Sequence, residues 1–480
     1  MQRDVPDVVA AYIDTHALLN EGDRVVVGVS GGVDSMVCLE LLRRLGYDVY
    51  ALHVNYGLRP GADDDESLVR SWCSGCTPSI PFSVERCDAE GRSSRTGASV
   101  QEAARHLRYE AFAAHARGLE AAAVATGHHR DDQAETVLLN LLRGAGPEGL
   151  AAMAPSRSLR EAPEIALVRP LLDVWRSDLE AYAESAGISW RVDPTNEDRS
   201  YDRAVVRSEL LPLMESHFDG ASANLARAAD LMREYVDHTL RPALVERMRE
   251  CWVECSAGGL LDLEPLRTEP SVWKRRLILE ALDRVLPDAP RTAAFAREVE
   301  GLIDAQVGAR VEGGQGTIWR EREGLFFLPD SAHPDVVSPP VPVPWGEDVP
   351  LPGGVLRVDP LDAPPDTLHA ESSNVEYVDA DRLVEPLAVG TWQEGDRIQP
   401  LGLDGTKPVS DVLTESKVPA HRRRTAYVLT TDEHVAWVIG HRLDHRVRVR
   451  PSTEHVARLS WEPREKWQPR ENTSDDCNSA

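Results

Sequence analysis

The chain has 480 residues, 42% hydrophobic and 28% charged, with seven cysteines and a formal net charge of −26. At roughly 100 to 200 residues per domain this length calls for two to four domains, and the composition fits soluble globular material with no apolar run long enough for a membrane span. Seven scattered thiols exclude a secreted disulfide scaffold and point to a reducing, cytoplasmic setting.

The opening stretch MQRDVPDVVAAYIDTH mixes charges into its apolar residues and reads as a helix rather than a leader. Short apolar runs then alternate with amphipathic stretches of helical length, the pattern of a parallel α/β domain. Strands are predicted over 24–29, 49–54, 80–85 and 121–125, and helices over 35–45, 64–72, 100–117 and 132–143. A fifth strand at 165–168 and a helix over 176–185, closed by Gly187 as C-cap, extend the domain to about residue 215. This alternation predicts a doubly wound parallel sheet with ligands at the C-terminal ends of its strands. Residues 216–373 read as a mixed, mainly helical central domain. Its Pro-rich run VVSPPVPVPWGEDVPLPGG cannot be helical and reads as extended connections. Residues 374–461 read as a small α+β domain, and 462–480 as a disordered tail.

The sharpest chemical signal is VVVGVSGGVDS, residues 25–35, in which a buried strand runs into two glycines, an acid and a serine that opens a helix. Gly31 and Gly32 let the backbone approach an anion closely, and the helix N-terminus points its amides at it. Ser30 and Ser35 add hydroxyl donors. A Walker A loop ends in Gly-Lys-Ser/Thr, and the absence of a lysine here disfavours a kinase or GTPase mechanism. The second signal is ATGHHRDDQAETVLLNLLRGAGPEGLAAM, residues 125–153, with His128 and His129 at a strand end and acids starting a helix. Asp132 and Glu135 lie three apart on one helical face, which suits either a capping box or a pair of carboxylates facing an ammonium ligand. The roles of His128 and His129 stay open between phosphate or substrate contact and structure. Arg199, Arg203 and Arg207 recur at fourfold spacing, one basic stripe if helical, which suits RNA backbone or a solvated face. His421, Arg422, Arg423 and Arg424, then Arg442, Arg446, Arg448 and Arg450, form the densest basic clusters of an acidic chain.

SGGVDS resembles the signature of the ATP pyrophosphatases, or PP-loop enzymes, which cleave ATP between its α and β phosphates. Within that superfamily HVNYGLRP (53–60), ATGHHRDDQAET, RPLLDVWRSDLEAYAESAGISWRVDPTNEDRSYDRAVVR (169–207) and WQEGDRIQPLG (392–402) resemble the tRNA(Ile)-lysidine synthetases. The resemblance covers most of the first domain and part of the third. It implies an ATP- and Mg²⁺-dependent ligase that adenylates the wobble cytidine of an isoleucine tRNA with a CAU anticodon and joins L-lysine to its C2 position. It further implies that Ser30, Gly31, Gly32, Val33, Asp34, Ser35, His53, Val54, Arg143 and Gly144 bind ATP, with Asp34 also contacting Mg²⁺. Asp34, Asp132 and Glu135 are then the catalytic residues, Asp132 and Glu135 hold lysine, and Arg199, Arg203, Arg207, Arg422, Arg423 and Arg424 hold tRNA. Two departures stand out: Tyr56 replaces a common second histidine, and Ala204 follows Arg203 where the family often has Asn.

Two rivals remain: a tRNA thiolase using the Cys73-x-x-Cys76 pair, and a non-catalytic tRNA-binding protein. A homodimer is compatible with the chain. The charge of −26 argues against a polyanion partner unless arginine patches act locally. The only lysines are Lys274, Lys407, Lys417 and Lys466, and such a surface suits a salty cytoplasm, where charges are screened within about 3 Å at 1 M salt. Stability that rises with molar KCl is the expected sign of it.

Overall fold

The computed structural model describes residues 4–58, 61–191, 202–255, 257–332, 337–361, 372–402 and 405–463. Arg199 and the tail beyond Pro463 lie outside them. The chain divides into two compact units, residues 1–242 and 243–480.

In the first unit, α1 (Val5–Thr15) leads into β1 (Arg24–Gly28), α2 (Val33–Arg44), β2 (Asp48–Asn55), α3 (Ala62–Gly75), β3 (Phe82–Arg86), α4 (Ala89–Thr96), α5 (Val100–Gly118), β4 (Ala123–Ala125) and α6 (Arg130–Leu142). Then come α7 (Pro147–Leu150), β5 (Ser156–Ser158), β6 (Ala166–Val168) and α8 (Arg176–Ala186). The sheet order is β3-β2-β1-β4-β6-β5, parallel except for β5, which pairs antiparallel with β6 at the edge. Alternation along the strands explains the two layers of helices: Val25 and Val27 pack with Met36, Leu39 and Leu42 of α2, whereas Val26 faces Phe112 and Ala116 of α5. Each predicted strand and helix of this unit is present with ends shifted by a few residues. Gly187 caps α8 in the left-handed conformation at φ +67°. α4 and the edge strand β5 had no clear signal, being short and polar.

The chain moves outward from β1 to β3 and then returns to the other side of β1 with β4. That reversal leaves a crevice at the C-terminal ends of β1 and β4, where the two chemical motifs meet.

A helix runs from α9 (Asp202–Val205) through a π-helical turn, Val206–Leu210, into α10 (Leu211–His217). Val206 and Leu211 pack on Ala134 and Leu138 of α6. The following helix α11 (Ala221–Tyr235) also packs on α6.

The second unit holds a five-stranded antiparallel sheet built from Trp252–Cys255, Gly258–Asp262, Arg310–Glu312, Gly316–Arg320 and Gly324–Pro329, backed by helix Ser271–Val285. Sheets of five and four strands follow around Trp437 and Leu356. The Pro-rich run supplies two edge strands, Val341–Pro342 and Asp348–Leu351, where a missing N–H costs nothing to the ladder. Among the described residues no helix is long and apolar enough to cross a membrane.

Candidate active site

The loop after β1 is built by its own serines. Ser35 Oγ donates to Gly32 O at 3.0 Å and accepts from Ser30 N at 3.0 Å, and the two serine hydroxyls are 3.1 Å apart. The sequence suggested these hydroxyls as anion donors; here they brace the loop and take the amides of Ser30 and Gly32. Gly31 sits at φ +89°, a conformation that side chains resist, and a Cβ there would stand 3.3 Å from Asp65. Helix α2 starts at Val33, with Gly32 rather than Asp34 as N-cap. Asp34 therefore lies in the first turn, free of capping duty.

Gly127, after β4, brings the second motif against this turn. A Cβ there would lie 2.8 Å from the backbone of Asp34, so only glycine allows the approach. Asp34 Oδ1 is buried with no hydrogen-bond partner, 3.7 Å from His129 Nε2, and Oδ2 is 3.8 Å from Arg176 Nη1. Burial pushes the Asp34 carboxyl above its usual range, against the pull of His129 and Arg176. His129 itself is 2% exposed and sits among Asp34, Asp131 (3.3 Å) and Asp132 (3.6 Å). Burial opposes its charge, but the three carboxylates outweigh that and raise its pKa. His128 is driven the other way, to about 3, chiefly by burial, and its Nδ1 meets Thr126 Oγ1 at 2.8 Å.

Asp132 and Glu135, 8% and 1% exposed, do lie on one face of α6. Asp132 is the third helical residue, and its Oδ2 accepts from the His129 backbone at 3.0 Å, so the capping half-box is His129 with Asp132 and excludes Glu135. The surprise is what faces the pair. Arg203 donates through Nε to Glu135 Oε2 and through Nη2 to Asp132 Oδ1, both at 2.8 Å. Arg207 donates to Glu135 at 2.5 and 3.0 Å and to Asp132 at 3.4 Å. Arg203 and Arg207 of the basic stripe thus reach the α6 carboxylates, on the helix where Val206 and Leu211 pack against Ala134 and Leu138 of α6.

Arg143 and Gly144 stand at the other end of α6, about 16 Å along its axis from Asp132 at 1.5 Å per residue. Gly144 is a left-handed C-terminal residue at φ +73°, and Arg143 pairs with Asp202 at 2.7 Å. His53 is buried with Nδ1 2.8 Å from Val29 O, steadying the strand end. Val54 joins Ser30, Asp34 and Ser35 in lining a cavity of about 210 Å³. That cavity also takes Arg105, Arg108, Tyr109 and Phe112 of α5, which the sequence reading missed. Their spacing of three, four and seven marked one helical face, but a face shared by arginines and aromatics reads equally as core margin. Arg176 and Gly127 were missed as well, and only their contacts single them out.

Cys73 is buried in the core and its thiol is pushed by burial up to about 12; Cys76 is also raised by burial. Such thiols hold little thiolate for sulfur transfer. Among the described residues no group of three or more His, Cys, Asp or Glu is placed to hold a metal.

In the second unit, His421 turns inward: it is 4% exposed, stacks on Phe326 at 4.1 Å and meets Glu321 Oε1 at 2.9 Å. Arg423 donates to Val418 O, and Arg446 pairs with buried Asp444. Arg424 is exposed and Arg422 half-buried.

The PP-loop domain family model matches residues 6–214, and that of the TilS substrate C-terminal domain matches residues 387–461. The tRNA(Ile)-lysidine synthase of Symbiobacterium thermophilum is 33% identical over 95% of this chain and 97% of its own length. That of Geobacter sulfurreducens is 31% identical over 94% and 95%. Among solved structures, a U34-tRNA thiolase from Methanococcus maripaludis with its 4Fe-4S cluster is similar at TM-score 0.39 and 18% identity, covering 47% of this chain and 79% of that one.

Proposed function

The chain belongs to the tRNA(Ile)-lysidine synthase family, and from that premise we propose how its own residues carry the reaction. It is an ATP-dependent ligase that modifies tRNA. The observation that carries the reading is the meeting, at the β1/β4 crevice, of a glycine loop braced by its own serines with a buried carboxylate oxygen on Asp34 that has no hydrogen bond.

In the reaction we propose, O2 of the wobble cytidine in the CAU anticodon attacks the α phosphate of ATP and pyrophosphate leaves with the electron pair of the broken P–O bond. The lysine side-chain amine then attacks C2, AMP departs with the former O2, and the amine loses a proton. The loop from Ser30 to Ser35 binds the phosphates through its amides other than those of Ser30 and Gly32, with Val54 on the nucleoside side and His53 holding the β1 end. Asp34 fits a hard cation such as Mg²⁺ because its free oxygen is a hard donor at the phosphate loop. When bound, that ion neutralises phosphate charge.

We keep Asp132 and Glu135 as the carboxylates that meet the lysine ammonium. Arg203 and Arg207 already engage both, so the ammonium must displace at least one guanidinium, and the half-exposed Arg203 is the readier to leave. The tRNA-facing role passes from these two arginines to Arg422 and Arg424, with Arg423 partly committed to its own helix. We also propose a cytoplasmic enzyme in three parts, 1–215, 216–373 and 374–461, with the tRNA held mainly by the latter two. Incubation with ATP, Mg²⁺, labelled lysine and total tRNA tests the reading. Label should enter tRNA in a form stable to mild base. Label that mild base releases, as it does an aminoacyl ester, would refute it.

A further inference from the structure

Arg176 stands at the phosphate loop without a part in the reaction described above. Its backbone N–H donates to Asp131 Oδ2 at 2.9 Å, which ties the first residue of α8 to the start of α6, and α8 packs on α2. The guanidinium thus projects from an anchored helix end. Its Nε donates to Glu180 Oε1 at 3.1 Å, whereas Nη1 stops 3.8 Å from Asp34 Oδ2. The second contact is too long for a hydrogen bond. Arg176 Nη1 and Asp34 Oδ2 therefore face each other across a gap beside the loop, while Oδ1 of the same carboxylate is turned to His129 Nε2 at 3.7 Å. A planar guanidinium gains far more from two hydrogen bonds to phosphate oxygens than from an unbonded carboxylate at that distance.

We propose that Arg176 is a phosphate-binding residue that takes the β or γ phosphate of ATP and holds the departing pyrophosphate. The inference rests on the reading of residues 30–35 as the ATP loop. As the bond between the α phosphorus and the bridging oxygen breaks, its electron pair moves onto pyrophosphate, and a guanidinium already in place stabilises that charge without reorganising.

Titration calorimetry on the full chain with ATP and with AMP, in the absence of tRNA and lysine, tests this on wild type, R176A and R176K. R176A should bind ATP about tenfold more weakly or worse, the loss expected for a hydrogen bond to a charged group. R176K should recover part of it, because a point charge remains but the fork is gone. AMP lacks the leaving phosphates, so its affinity should stay within about twofold in all three proteins. Unchanged ATP affinity in R176A would overturn the proposal, and so would equal losses for ATP and AMP, which mark damage on the nucleoside side or to the fold. Wild-type protein that binds neither nucleotide overturns the reading of the loop itself, a distinct failure. Should R176A lose its melting transition, R176K and R176Q carry the comparison by the same criterion.

Discussion

Arg207 closes on Glu135 through two hydrogen bonds, Nε to Oε1 at 2.5 Å and Nη2 to Oε2 at 3.0 Å, and the carboxylate they grip is 1% exposed. Glu135→Gln leaves two guanidinium groups beside a neutral amide. Breaking a buried pair costs about 3–5 kcal/mol, but Arg203 and Arg207 are 42% and 37% exposed and can recover water. A loss of about 1–3 kcal/mol by urea unfolding is expected. Arg207→Gln should cost a similar amount. A variant that keeps full stability yet loses tRNA affinity would restore the RNA-facing role to this helix.

Lysine recognition separates from this stability effect. Asp132→Asn and Glu135→Gln should each raise the lysine requirement about tenfold or more while ATP-dependent pyrophosphate release survives. An unaltered lysine requirement in a folded variant would leave the pair purely structural.

Asp34→Ala removes the carboxylate but keeps the glycines, the serine brace and the loop amides. Pyrophosphate release should fall by more than about a hundredfold, with far-UV dichroism unchanged. Near-normal release would remove Asp34 from the chemistry.

Gly127→Ala puts a Cβ 2.8 Å from the Asp34 backbone, which cannot swing aside as a side chain would. The first turn of α2 must shift, at a cost of about 1–3 kcal/mol, and ATP binding should weaken with it. Calorimetry that finds wild-type affinity for ATP would show that the turn tolerates displacement.

The two histidines titrate in opposite senses. His129 has a raised pKa in the folded state, so its contribution is complete below the unfolded value of 6.5 and is lost as pH rises through the higher folded value. His128 has its pKa lowered to about 3, so its contribution is complete above 6.5 and is lost as pH falls toward 3. Unfolding free energies of His129→Asn relative to wild type should therefore show a missing alkaline decline, and those of His128→Asn a missing acid one. Parallel pH profiles for all three proteins would contradict both assignments.

In the second unit, Arg424→Glu should weaken tRNA binding and make it less sensitive to salt, by about one released counterion for each phosphate the arginine neutralises. His421→Ala should instead lower the melting temperature, because it strips a buried partner from Glu321. Filter binding across a KCl series, read beside thermal melts, distinguishes the two.

The doubly wound sheet and the SGGVDS loop were legible because their causes are local. Alternating apolar runs fix which residues must be buried, and two adjacent glycines between a strand and a helix fix a backbone that can cradle an anion. The switch point followed from topology, since a strand returning to the far side of β1 leaves the crevice wherever β1 and β4 end. The partners of the charged side chains were not legible. Asp132 and Glu135 meet Arg203 and Arg207 across 68 to 75 residues of chain, and nothing in either segment names the other. What decided the pairing was the packing of Val206 and Leu211 on Ala134 and Leu138. That contact sets the rotation of one helix against another, and the rotation determines which cation each buried carboxylate finds.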